Sequence, residues 1–254
     1  MPFEKTLLDI DKKDQYHAID ELIAGSRSNG TYYTLLILSS VIISSGILLA
    51  NSAILIGGML VTPVLTPILL IALGITVGDS RLIKRTSILV AKSVGVILGL
   101  SFVAGVLFNI PENSDFYRES LFDNSLRSAF LYFLVALASG IAATFAWVRR
   151  EITNILPGIS ISVSLVPPIS MIAIWFAEAE FELMRFFLLV FLFNLFGILM
   201  GSLIVFSMLR FYTTGKEITE KIDDVIESEA GYKVVEMKED SDIVEGKKLT
   251  TEDK

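Results

Sequence analysis

Two apolar stretches of the chain place helix-breaking residues beside residues that can bind a solute. In the first, Thr62 and Thr66 flank Pro63 and Pro67, shortly after Gly57 and Gly58. In the second, Pro157 and Gly158 precede Ser160, Ser162 and Ser164, and Pro167 and Pro168 follow. Proline removes an amide donor and clashes with the turn before it, at about 3 kcal/mol inside a helix. Consecutive prolines also push Val166 and Pro167 away from helical geometry. Carbonyls freed in this way cannot face lipid, where each unsatisfied polar group costs several kcal/mol. They must be buried in protein or line a wet cavity. Ser160 and Ser164 share a face of a helix and Ser162 does not, whereas an extended segment points all three the same way. Hydroxyls, free carbonyls and half-helix ends together can coordinate a small ion or polar solute. The alternative use of such prolines and glycines is to kink helices and let them pack closely.

Two polar side chains elsewhere are candidates for the same role. Lys92 lies about two turns inside a third apolar stretch, where an ammonium is costly unless it is functional or its stem reaches the interface. Asn194 lies among Phe191, Phe193 and Phe196, placed to bond across helices or to meet a pathway. No Asp or Glu falls within an apolar stretch, which weakens a proton-relay mechanism and favours neutral oxygen ligands.

The elements that must position these residues are membrane spans. The chain has 254 residues, 53% hydrophobic and 19% charged, with a mean hydropathy of +0.65. A soluble domain of this size cannot hide so much apolar surface. A span needs roughly 20 apolar residues. Six stretches qualify, near Tyr32–Ala50, Ala53–Val77, Thr86–Ile110, Ser125–Val148, Ile152–Ala177 and Arg185–Leu209. Asn51 and Ser52 alone separate the first two, so a tight turn is expected there. The expected fold is therefore an all-α integral membrane protein of about six transmembrane helices, with helices 2 and 5 broken by proline.

Charge divides the chain further. From Gly215 to Lys254, 13 acidic residues and 7 lysines contribute −6 of the total net charge of −7. The low isoelectric point thus describes the tail and gives no reason to expect nucleic-acid binding. Residues 3–24 are expected to form an amphipathic helix stopped by Gly25, on the membrane surface or as an ordinary soluble helix. Residues 1–30 lack the apolar core of a signal peptide. The organisation expected is an amphipathic segment over 1–30, a first three-helix repeat over 31–110, a loop over 111–124, a second repeat over 125–210 and an acidic tail over 211–254. By the positive-inside rule, eleven basic residues near one side (among them Arg81, Lys84, Arg85, Arg149, Arg150 and Arg210) outweigh Arg118, Arg127 and Arg185 on the other. Both termini and the acidic tail are then expected in the cytoplasm of a cell-membrane protein.

The repeat is visible in the residues. Ile54-Leu55-Ile56-Gly57, Thr66-Pro67-Ile68 and Ile71-Ala72 match Ile155-Leu156-Pro157-Gly158, Pro167-Pro168-Ile169 and Ile172-Ala173 at an offset of 101. Gly95, Gly99 and Lys92 match Gly197, Gly201 and Asn194 at 102, and Ser45-Gly46 weakly matches Ser139-Gly140. A three-span repeat reverses its direction in the membrane, giving the inverted-topology arrangement of many secondary transporters.

Catalysis is not expected. The chain has no Gly-x-Ser-x-Gly, no Walker loop and no His-Glu-x-x-His, and its one histidine, His17, reads as an exposed helical residue. With no cysteine and one histidine, neither a metal centre nor a cofactor is expected. The function these features predict is passage of a small ion or polar solute by alternating access. Its site would use Gly57, Thr62, Pro63, Thr66, Pro67, Lys92, Gly158, Ser160, Ser162, Ser164, Pro167, Pro168 and Asn194. The alternatives are a non-transporting scaffold that recruits a partner through its termini, and an ion channel. The expected partners are the lipid bilayer and a small solute or ion, with homo-oligomerisation left open.

The run from Asn51 through Gly57-Gly58 and Thr62-Pro63, with Pro67 after it, resembles the signature of a prokaryotic membrane family, domain of unknown function 389. Leu156-Pro157-Gly158 to Val166-Pro167-Pro168 resembles its second signature and Phe193-Asn194-Leu195 a third. The resemblance covers roughly residues 35–210 and implies a multi-span membrane protein, with no activity attached. Some members carry an additional soluble N-terminal domain that has no counterpart in this sequence, so a role tied to it is not expected here.

Overall fold

A computed structural model of the protein describes residues 10, 12–108, 126–149 and 165–214. Met1–Thr213 is one compact unit and Thr214–Lys254 a second; the described α-helices all belong to the first. Ser160, Ser162, Ser164, Pro157 and Gly158, the loop at 111–124 and the acidic tail beyond Thr214 lie outside the described residues.

The described elements are all helical. They are α1 (Lys12–Gly25), α2 (Gly30–Leu48), α3 (Ser52–Val61), α4 (Leu65–Val77), α5 (Ser80–Phe108), α6 (Leu126–Val148), α7 (Val166–Ala177) and α8 (Phe181–Met208), followed by a short 3-10 turn at Phe211–Thr214. α2, α5, α6 and α8 are each long and apolar enough to cross a membrane, and the pair α3 and α4 makes a fifth such element bent by 51°. α7 has 12 residues, about 18 Å of helix, too short to span alone. The expected fifth span, Ile152–Ala177, is thus described only in its second half. Leu38, Val103, Val106 and Leu192 are among the large apolar side chains more than half exposed on these helices, a surface that lipid can cover.

Local sequence explains the turns. Ala50 takes a left-handed φ of 48°, and the Asn51 amide donates to the Gly46 carbonyl at 2.9 Å. The Asn51 side chain then caps α3 by accepting from the amides of Ala53 and Ile54. The tight turn expected at Ala50-Asn51-Ser52 is therefore present. Two missing side chains let α2 and α3 close on each other: a Cβ on Gly46 would stand 2.7 Å from the Leu55 nitrogen, and one on Gly58 would stand 2.5 Å from Ile43 Cγ1.

Helix directions follow from paired contacts. The Tyr32 and Ser93 hydroxyls meet at 2.8 Å and those of Ser44 and Ser101 at 2.9 Å, so α2 and α5 run the same way. Phe133 lies beside Phe193 and Phe196, and Gly201 packs on Leu137 and Ile141, so α6 and α8 also run together. α8 opposes α5. It starts at Phe181 beside Phe176, which packs on Phe102 near the end of α5, and it ends at Leu209, bonded to α1 below the start of α2.

The N-terminal helix buries its apolar face against the bundle, a partner that neither expectation for it named. Ala18, Ile19 and Leu22 are at most 1% exposed, and α1 packs against α4 and α6. The glycine correspondence at offset 102 is corrected. Gly197 and Gly201 are pressed into α6, whereas a Cβ on Gly95 or Gly99 meets nothing within 4 Å among the described residues. The buried stripe of α5 (Leu89, Ile97, Ser101) instead falls on that of α8 (Val190, Ile198, Ser202) at an offset of 101. Glycine identity does not separate the two cases because a small residue suits both a tight crossing and an open surface.

Candidate functional site

The break between α3 and α4 is built by three residues. Thr62 ends α3 in an extended conformation, as expected of a residue before proline. Pro63 and Val64 form the turn, and α4 begins at Leu65. Pro63 cannot donate to the Met59 carbonyl, so the helix ladder is interrupted there. Pro67 is the third residue of α4, within the first turn, where amides have no intrahelical acceptor. It therefore helps start a helix and does not break one.

α7 opens in the same way. Val166 is its first residue, and Pro167 and Pro168 follow within the first turn. The expectation that Val166 and Pro167 leave helical geometry is thus corrected, since neither position needs an amide bond at a helix start. Leu165 before α7 has φ −87° and ψ −20°. Val64 before α4 has φ −77° and ψ −21°. Neither is capped by a side chain.

The hydroxyls at the first break turn inward onto the backbone. Thr62 Oγ1 donates to the Gly58 carbonyl at 3.1 Å. Thr66 Oγ1 lies 3.2 Å from the Pro63 carbonyl and 3.3 Å from the Gly25 carbonyl, and its single proton is shared between them. Gly58 pairs with Ile43 and Gly46 with Leu55. Extending that register by about one turn puts Thr62 level with Ser39, near the middle of α2. Ser39 and Ser40 are fully buried there, and both donate to the Leu36 carbonyl.

α1 closes this site from one end. Its last residue, Gly25, is so close that an added Cβ would stand 2.9 Å from Thr66 Cγ2. The next residue, Ser26, is buried, and its hydroxyl has no hydrogen-bond partner among the described residues.

The structure brings together Thr62, Pro63, Thr66 and Pro67. Gly57 is exposed and a Cβ added to it would meet no neighbour among the described residues, while the adjacent Gly58 carries the close packing. Lys92 is exposed on α5, next to the Ser93 that bonds Tyr32, and does not join the threonines. Asn194 is half-buried on α8, one turn before the buried Ile198. Sequence reasoning missed the hydroxyl pairs of the α2–α5 seam, Tyr32 with Ser93 and Ser44 with Ser101. Their signal is serine at positions 93 and 101, two turns apart on one helix face. Among the described residues no group of three acidic, histidine or cysteine side chains could hold a metal ion.

Comparison with known proteins gives a relative to which no activity is assigned. An uncharacterized protein of Methanocaldococcus jannaschii is 28% identical over 198 residues, 77% of this chain and 58% of that protein. The chain thus spans somewhat over half the length of that relative. No solved structure matches it. A family profile matches residues 59–200, which run from the end of α3 to the middle of α8 and make up more than half of the sequence. The chain belongs to the family described as Domain of unknown function (DUF389).

Proposed function

We propose that the protein is a transporter of a small ion or polar solute, built from two inverted three-helix repeats, with the solute passing the break before α4 and the start of α7. The single observation that carries this reading is the recurrence of structure at an offset of 101. α4 and α7 start at Leu65 and Val166, and α5 and α8 at Ser80 and Phe181. Around these starts the backbone angles before the helices, the buried stripes and the left-handed turn residues (Gly78 and Ala179) agree as well. α5 and α8 nevertheless run in opposite directions, as an inverted repeat requires. In this reading α2 to α5 form the first repeat, and α6 to α8 with the segment before α7 form the second. Broken helices serve such transporters by offering half-helix ends and backbone groups to a solute near the membrane centre. The distribution of basic residues supports both termini on the cytoplasmic side of a cell membrane, with α1 at the cytoplasmic end.

The decisive substitution is at Pro63, the residue that interrupts the ladder. In proteoliposomes challenged with a panel of radiolabelled monovalent ions and small polar solutes, the native protein should give saturable flux. Pro63→Ala restores an amide at the break and should lower that flux at least tenfold, while Pro67→Ala should change it little. Equal flux in Pro63→Ala and native protein refutes the site. Unitary currents without saturation in planar bilayers favour a channel. Absence of flux for every solute, with a partner captured through the termini, favours a scaffold.

A further inference from the structure

α1 touches both proposed repeats at one end of the bundle. Its first turn reaches the second repeat, where the buried Gln15 amide donates to the Leu209 carbonyl at 2.9 Å. Its last residue reaches the first repeat, where the Gly25 carbonyl accepts from Thr66. Ten residues separate these contacts, about 15 Å of helix, so α1 extends from the end of α8 inward to the break. The two repeats cannot rock apart at this end while both contacts hold. The Ser26 hydroxyl beside this contact is buried, with no hydrogen-bond partner among the described residues.

We propose that α1 is a removable bolt. Docked, it ties the repeats together and seals the break at Thr66; released, it opens that end to water. The coupling of release to solute passage rests on the transporter reading above, whereas the sealing of Thr66 does not.

The chain has no cysteine, so an introduced thiol reports alone. Thr66→Cys should react with a membrane-impermeant maleimide at least tenfold more slowly than Arg27→Cys, an exposed position. Adding Gln15→Ala to the Thr66→Cys variant removes one partner of a buried hydrogen bond and should speed labelling of its thiol about tenfold. Rapid labelling with α1 intact, or labelling indifferent to Gln15→Ala, overturns the bolt. A second variant avoids any dependence on a destabilised helix. An ideal Cβ on Gly25 would lie 3.3 Å from Thr66 Cβ, close to the roughly 3.5–4.5 Å of a disulfide. Gly25→Cys with Thr66→Cys should therefore cross-link under copper phenanthroline, and failure to cross-link overturns the docked geometry. In proteoliposomes given the same solute panel, flux that stops on oxidation and returns with dithiothreitol supports the bolt. Flux that matches the native protein's in both redox states overturns it and leaves the transporter reading standing. Thiol protection by α1, with no flux for any solute in the native protein, leaves α1 as a seal and removes the transporter reading.

Discussion

Gly78 and Ala179, 101 residues apart, occupy the same turn. Both are left-handed, with φ of 80° and 60°. In the first turn the Asp79 amide donates to the Gly74 carbonyl at 3.0 Å, and in the second the Glu180 amide donates to the Trp175 carbonyl at 3.0 Å. These are the bonds that close a helix through a left-handed residue, which glycine adopts freely and alanine does not. Such geometry costs an L-residue about 1–2 kcal/mol.

The two turns should therefore respond oppositely to exchange. Ala179→Gly is expected to stabilise the protein by about 0.5–1 kcal/mol, and Gly78→Ala to destabilise it by about 1 kcal/mol. Apparent melting midpoints in detergent, measured with an environment-sensitive dye, check the signs. A lower midpoint for Ala179→Gly contradicts the shared turn.

Glycines should separate by their surroundings. A Cβ on Gly201 would lie 2.4 Å from the Leu137 carbonyl oxygen and one on Gly140 2.6 Å from that of Ile198. Backbone atoms cannot step aside alone, so Gly201→Ala and Gly140→Ala should each cost at least about 2 kcal/mol as α6 and α8 are forced apart. Gly95→Ala and Gly99→Ala fill open space and should be neutral or stabilising by up to about 1 kcal/mol through helix propensity. Resistance to denaturant across the four variants tests the contrast, and comparable losses at all four positions would contradict the packing.

The α2–α5 seam should show coupling. Ser44→Ala or Ser101→Ala leaves one buried hydroxyl unpaired, whereas the double variant removes both. A double-mutant cycle on unfolding in mixed micelles should return a coupling of about 0.6 kcal/mol, the average for such bonds between membrane helices. Additive effects would mean that the pair at 2.9 Å contributes nothing to stability.

Prolines in a first turn should be nearly dispensable for stability. Pro67→Ala and Pro168→Ala alter positions whose amides lack an intrahelical acceptor, so each should shift stability by less than about 1 kcal/mol. Losses of about 3 kcal/mol in the same melting assay would place these prolines in a role other than opening helices.

Composition and local pattern alone determined a good part of this protein. Long apolar stretches in a chain with few charges give helices long and apolar enough to cross a membrane, and Asn51 between two of them demands a turn. Pro63, inside an apolar stretch, demands an interruption, because no side-chain choice elsewhere can return its missing amide. These outcomes depend on neighbours a few residues apart, so they survive without knowledge of the fold. Other features depend on which surfaces meet. Gly95 and Gly201 look alike in sequence, yet one faces open space and the other the backbone of α6, and helix packing alone separates them. Pro67 changes from breaker to starter because the interruption occurs four residues earlier. The apolar face of α1 is consistent with a membrane surface, a soluble helix or a bundle, since amphipathicity states that a face must be buried and not against what. Tertiary structure chose the bundle, and in doing so it set Gly25 against Thr66 across 41 residues of sequence.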